Sequence, residues 1–188
     1  MNSPSNPIYR NAVAELGAVF ERIDDAKVDG AVEAIARARS TVVFGGGRER
    51  LQIMGFAMRL YHMGVPVAVE GDMTTPPVGP GDLFLVTVGP GEISTAVALI
   101  DVAKKAGAKV LVITAQPEGR ASRMADEILL LPAQTMADDQ GTAKTSVLPM
   151  GSLYEGALFV LFEVMILKLR DRLAVTPEAM RERHTNLE

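Results

Sequence analysis

A chain of 188 residues that is 48% hydrophobic and 22% charged can bury one substantial core, and its composition excludes a disordered protein. The formal net charge of -4 supplies no overall positive field for nucleic acid or an anionic membrane surface. Cysteine is absent, which excludes disulfides and thiolate chemistry and fits a reducing compartment. The first residues, MNSPSNPIYRNAVAEL, combine neither a basic nor an apolar leader region, so the expected localisation is cytoplasmic.

Taken in chain order, Val13, Leu16, Val19, Phe20 and Ile23 recur at helical spacing between Ile8 and Ile23. A second helix is expected to start at Asp29 or Gly30 and run through Ala38, so N-terminal helices occupy about 7–38. Thr41 to Phe44 is an apolar run stopped by Gly45, Gly46 and Gly47. Runs without polar alternation suit parallel strands covered on both faces. Leu51–Met63 reads as a helix, and Val65–Val69 as a short strand with its proline near the beginning. Asp82–Val88, Lys109–Thr114 and Glu127–Leu131 read as strands, with helices at Glu92–Ala106 and Gly119–Ala125. This alternation predicts a single α/β domain with a parallel sheet.

Ala133 to Leu148 is polar and aperiodic, a loop long enough to suggest a role. A long helix follows from Gly151 to Leu173, and Thr176-Pro177 reads as the cap and first position of a closing helix. C-terminal helices thus occupy about 151–185. Leu153 to Leu169 is apolar but broken by Glu155, Glu163 and Lys168, which indicates a buried or interface helix rather than a membrane span.

Two glycine-rich junctions follow strands. Gly45-Gly46-Gly47-Arg48-Glu49-Arg50 has Arg50 where a dinucleotide fingerprint needs glycine, and it lacks a P-loop ending. It reads equally as a ligand loop or a structural turn, with Arg48 and Arg50 as nearby cations partly offset by Glu49. In Val86–Ser94, Gly89 and Gly91 permit a tight turn, and Ser94 and Thr95 carry the nearest hydroxyls. Pro90 removes an amide donor, so a plain turn competes with an anion site. Arg59 and His62 share a helix face; alone, His62 reads as structural. Glu155 reads either as an acid at a helix N-terminus or as a general base beside a cleft. His184, near the end, reads as surface.

Together these pieces resemble the SIS (sugar isomerase) domain family, most closely the 6-phospho-3-hexuloisomerases. The matching words are Phe56–Gly64, Gly81-Asp82-Leu83, Ala103–Val110, Pro149–Glu155 and Arg183–Glu188. The resemblance implies a three-layer, flavodoxin-like fold with a five-stranded parallel sheet. It also implies a homo-oligomer, commonly a tetramer, with active sites near subunit boundaries. The implied reaction moves a carbonyl between neighbouring carbons through an enediol, for which no metal or redox cofactor is expected. By motif, Glu155 matches the catalytic carboxylate, His62 matches a family histidine that serves as an acid/base or ring-opening group, and His184 matches the C-terminal histidine, implied to close over a site of its own or a neighbouring subunit.

Both glycine loops depart from the family words. The first family loop has serine where Glu49 stands, and the second has hydroxyls where Val88, Pro90 and Ile93 stand. Each charge-assisted hydrogen bond to a phosphate is worth about 1.5–3 kcal/mol. The usual phosphate pocket is therefore expected to be absent, and the substrate to be an unphosphorylated or differently substituted sugar, with ordinary 6-phospho-3-hexuloisomerase activity on a 3-ketohexose 6-phosphate as the conservative alternative within the enzyme class. The alternative is a non-catalytic module that binds a sugar derivative and regulates.

Overall fold

The computed structural model describes residues 6–187; the first five residues, where part of the leader reading falls, and Glu188 of the last matching word lie outside them. Two helices open the chain, α1 (Pro7–Phe20) and α2 (Asp25–Arg37). Asn6 caps α1 by accepting the Ile8 amide, and Asp24 caps α2 by accepting the Ala26 amide at 3.0 Å. That aspartate cap starts α2 earlier than the Asp29 or Gly30 expected from apolar spacing.

Five strands follow: β1 (Thr41–Gly45), β2 (Val67–Val69), β3 (Leu83–Thr87), β4 (Lys109–Thr114) and β5 (Glu127–Leu130). They form one parallel sheet in the order β2-β1-β3-β4-β5. β2 begins two residues later than expected. Pro66 carries no donor and contributes only its carbonyl, which accepts the Thr41 amide at 2.9 Å. Between and after the strands lie α3 (Gly47–His62), α4 (Ser94–Lys105), α5 (Arg120–Met124), α6 (Ser152–Leu173) and α7 (Pro177–Glu182). α3 starts earlier than Leu51 because Gly46 takes the cap position and Gly47 adopts φ of 54°. Thr176 caps α7 through the Ala179 amide, with Pro177 first inside the helix.

Alternate side chains of each strand enter opposite cores. Val43, Leu85, Leu111, Ile113 and Leu129 pack with α1, α2, α3 and α6, whereas Val42, Phe44, Phe84, Val86, Val110 and Val112 pack with α4 and α5. This explains why the strands read as continuous apolar runs. α6 anchors the first core, with Phe162 stacked on Phe56 at 4.5 Å and 14°.

The long segment before α6 is polar yet well organised. Gln134, largely buried, donates to the carbonyls of Asp138 and Ala143 and accepts the amides of Thr145 and Ser146. Glu15 of α1 accepts from the Ser146 hydroxyl and the Val147 amide. The segment ends on two left-handed residues, Met150 at φ 54° and Gly151 at φ 76°, which turn the chain into α6. For methionine this conformation costs roughly 1–2 kcal/mol, and it brings the start of α6 to the ends of the strands.

Candidate active site

Three junctions at the C-terminal ends of the strands enclose a cavity of about 360 Å³. The β1–α3 junction contributes Gly46, Gly47, Arg48 and Glu49; the β3–α4 junction contributes Pro90 and Ile93. The third wall is Met136, Met150, Tyr154 and Glu155. Ligands favour this edge of parallel sheets because helix N-termini and loops converge there. A larger hollow of about 840 Å³ runs along α3 and edge strand β2, past Met54, Met58 and Tyr61, and is lined by Asp72 and Arg183 without an ion pair between them.

Glu155 lies in the first turn of α6, with Arg48 Nε 3.0 Å from its carboxylate. Burial pushes the Glu155 carboxyl upward, and the Arg48 guanidinium works against that rise. Arg48 also reaches the Ser152 hydroxyl at 3.2 Å and the carbonyl of Met150. One side chain therefore ties the start of α3 to the start of α6.

Glu49 turns inward and is 7% exposed. Its carboxylate accepts the Thr87 hydroxyl at 2.6 Å and the Gly89 amide at 3.0 and 3.1 Å. Burial dominates and pushes its pKa up to about 7; the Thr87 and Gly89 hydrogen bonds lower it, and the charge of Glu155 raises it further. Behind Glu49, the buried Tyr154 hydroxyl donates to the Ile113 carbonyl at 3.0 Å and lies 3.2 Å from the Thr87 hydroxyl. Burial, then the Glu49 charge, hold that phenol well above its usual range. A Cβ on Gly89 would sit 2.9 Å from the Tyr154 ring and 3.0 Å from Glu49 Oε1, so only glycine fits.

The remaining candidates divide. Gly45 packs against Thr87, and Gly46 lies under the Ile93 side chain, 3.0 Å from the site of an added Cβ. Arg50 turns away to the Glu70 carbonyl at 2.8 Å. Gly91, at φ 81°, is pressed against Gln116. Ser94 and Thr95 are exposed at the start of α4 and do not line the cavity. Val88 is fully buried in the α4-side core.

His62 and His184 stack on each other with ring centroids 5.2 Å apart. They line a different hollow with Tyr61, Arg183 and Asn186. His62 ends α3 whereas Arg48 begins it, so the rise per residue separates the histidine pair from Glu155 by about 20 Å within one chain.

Sequence reasoning missed Tyr154 and Thr87. Thr87 was signalled as a lone polar residue closing an apolar strand, and Tyr154 by its place beside Glu155. Nothing in the sequence signalled Met136 as a cavity wall. No helix among the described residues is long and apolar enough to cross a membrane, and no group of three or more His, Asp or Glu among them could hold a metal.

The chain is thus a three-layer α/β domain that carries a carboxylate and two glycine junctions at one sheet edge. Residues 34–159 match the SIS domain family, and the chain belongs to that family. It is 35% identical over 181 residues to the 3-hexulose-6-phosphate isomerase of Mycobacterium gastri, covering 96% of this chain and 88% of the relative. The corresponding enzyme of Bacillus subtilis is 33% identical over 166 residues, covering 88% and 89%. A protein of Methanococcus jannaschii, whose crystal structure was taken to imply 3-hexulose-6-phosphate isomerase function, superposes with a TM-score of 0.81 at 25% identity. That match covers 97% of this chain and 98% of the other. The chain is thus related along nearly its whole length to sugar-phosphate isomerases.

Proposed function

We propose that this chain is a sugar isomerase that shifts a carbonyl between neighbouring carbons through an enediol, with Glu155 as the base. The observation that carries this reading is the Glu155 carboxylate, held at the wall of the cavity by Arg48 at 3.0 Å. A carboxylate raised by burial is a better proton acceptor than a solvated one, and a positioned base contributes roughly 10²–10⁴-fold.

The relatives named above are isomerases of a 6-phosphate sugar. In this chain the β3–α4 junction offers Pro90 and Ile93 to the cavity rather than hydroxyls, which supports an unphosphorylated or differently substituted substrate. Self-association accompanies this reading. Leu51, Met54, Met58 and Tyr61 form an exposed apolar stripe at helical spacing along α3, beside the histidine pair. A second copy packed on this stripe would bring His62 and His184 toward a neighbouring Glu155, supplying the acid that one chain alone does not.

The test is exchange of a carbon-bound proton with solvent deuterium, using ketoses and aldoses with and without a 6-phosphate. Wild type should exchange, and Glu155→Gln should lose about 10²–10⁴-fold. Exchange restricted to phosphosugars would refute the altered substrate end. Binding without exchange for every sugar would favour a sensory module, and wild-type exchange in the variant would remove Glu155 as base.

A further inference from the structure

We propose that Glu49 is the specificity-determining residue of this cavity: its carboxylate takes the loop amide that an anionic ligand would take, so the site accepts a sugar ending in a hydroxyl and refuses one ending in phosphate. This inference rests on the reading of the cavity as a sugar site, and it names the chemical class of the sugar's far end.

Geometry carries it first. The Gly89 amide points at Glu49, with both carboxylate oxygens within 3.1 Å, and the Tyr154 ring covers the same glycine. A phosphate oxygen has no route to that donor while Glu49 stays. Pro90 has no N–H to offer in its place. Ile93, lying over Gly46, fills the space between the two glycine junctions with a hydrocarbon chain.

Charge points the same way. The cavity is lined by two carboxylates, Glu49 and Glu155, and one guanidinium, Arg48. Arg48 is already engaged by Glu155, Ser152 and the Met150 carbonyl. Arg50 faces Glu70 instead. A phosphate dianion entering here would be desolvated against like charge without a cation free to meet it. A hydroxyl fits better. A carboxylate can accept about four hydrogen bonds, and among the described residues its donors are Thr87 and Gly89. A sugar hydroxyl can donate to a remaining lone pair while its carbon chain lies on Ile93, Met136 and Met150.

The experiment uses inorganic phosphate as the probe, at pH 8, above the value of about 7 to which burial pushes Glu49. The Gly89 amide resonance is followed by NMR in wild type, Glu49→Ser and Glu49→Gln. Wild type should show no saturable shift. Glu49→Ser, which frees the amide and removes the charge, should bind phosphate at Gly89 about 10–100-fold more tightly, the equivalent of one charge-assisted hydrogen bond. Glu49→Gln keeps an acceptor on Gly89 and loses only charge, so its gain should be smaller. Phosphate binding at Gly89 as tight in wild type as in Glu49→Ser would overturn the proposal. If Glu49→Ser fails to fold, Glu49→Gln carries the test, and affinity equal to wild type overturns it. Proton exchange with a ketohexose and its 6-phosphate is then measured on the same proteins. Absence of exchange with both sugars counts against the isomerase reading and leaves the phosphate titration to decide the role of Glu49.

Discussion

Replacing Glu49 by glutamine should change how stability depends on pH. The carboxyl of Glu49 rises from 4.5 to about 7 in the folded protein, chiefly because it is buried. A raised pKa means that the folded state holds this proton more tightly than the unfolded chain does. The resulting stabilisation is complete below about pH 4.5 and is lost as pH climbs through about 7. Each pKa unit is worth about 1.4 kcal/mol, so the loss across that window is about 3 kcal/mol. Glutamine does not titrate. Wild type and Glu49→Gln should therefore diverge as pH rises from 5 to 8.5, the variant losing about 3 kcal/mol less. Groups such as Glu33, whose pKa is held down to about 2 by Arg172 and Arg37, contribute equally to both proteins and cancel. Urea denaturation at each pH measures the difference directly. In thermal melts the divergence should reach roughly 6–12 °C, since a domain of this size moves about 2–4 °C per kcal/mol. Parallel stability curves for the two proteins would show that Glu49 is not a desolvated acid and would refute the reasoning.

Two further outcomes follow from the site. Arg48 works against the rise of the Glu155 carboxyl, so Arg48→Met should move the acidic limb of the exchange-rate profile to higher pH as well as slowing exchange; an unmoved limb would mean that the pair at 3.0 Å does not control the base. Tyr61 is 61% exposed at the C-terminal end of the apolar stripe on α3, so Tyr61→Glu should shift the sedimentation coefficient toward the single chain and lower exchange in parallel. Identical sedimentation of wild type and variant would place self-association elsewhere.

The strands and most helices were legible because both faces of the sheet are covered, leaving apolar runs such as Val42 to Phe44 and Val110 to Ile113 without polar interruption. Boundaries set by side-chain caps were less legible. Asp24 starts α2 through a hydrogen bond to Ala26, and apolar periodicity carries no record of it. Glu155 was readable from its place at a helix start, and the tie between Arg48 and Glu155 was not, since 107 positions of sequence hide it. Glu49 was recognised as a departure from the family's loop, but its direction was not. A glutamate in the first turn of a helix ordinarily faces solvent, and only the meeting of Thr87, Gly89 and Tyr154 around it reveals an inward acid. The polar stretch after β5 read as a loop, and its order depends on Gln134 binding residues on both sides of a turn, which composition does not display.

The crowding of Gly89 constrains the order in which this pocket could change its chemistry. A hydroxyl introduced at position 93 would meet a cavity still floored by a carboxylate, and a cation recruited there would be drawn to Glu49 before any ligand arrived. The benefit of every such change is conditional on position 49, so substitutions in the two glycine junctions are coupled rather than additive. Under the proposed role of Glu49, a change of substrate end on this scaffold begins at residue 49, because the glycine beneath it, wedged between a carboxylate and a tyrosine ring, has no freedom to compensate.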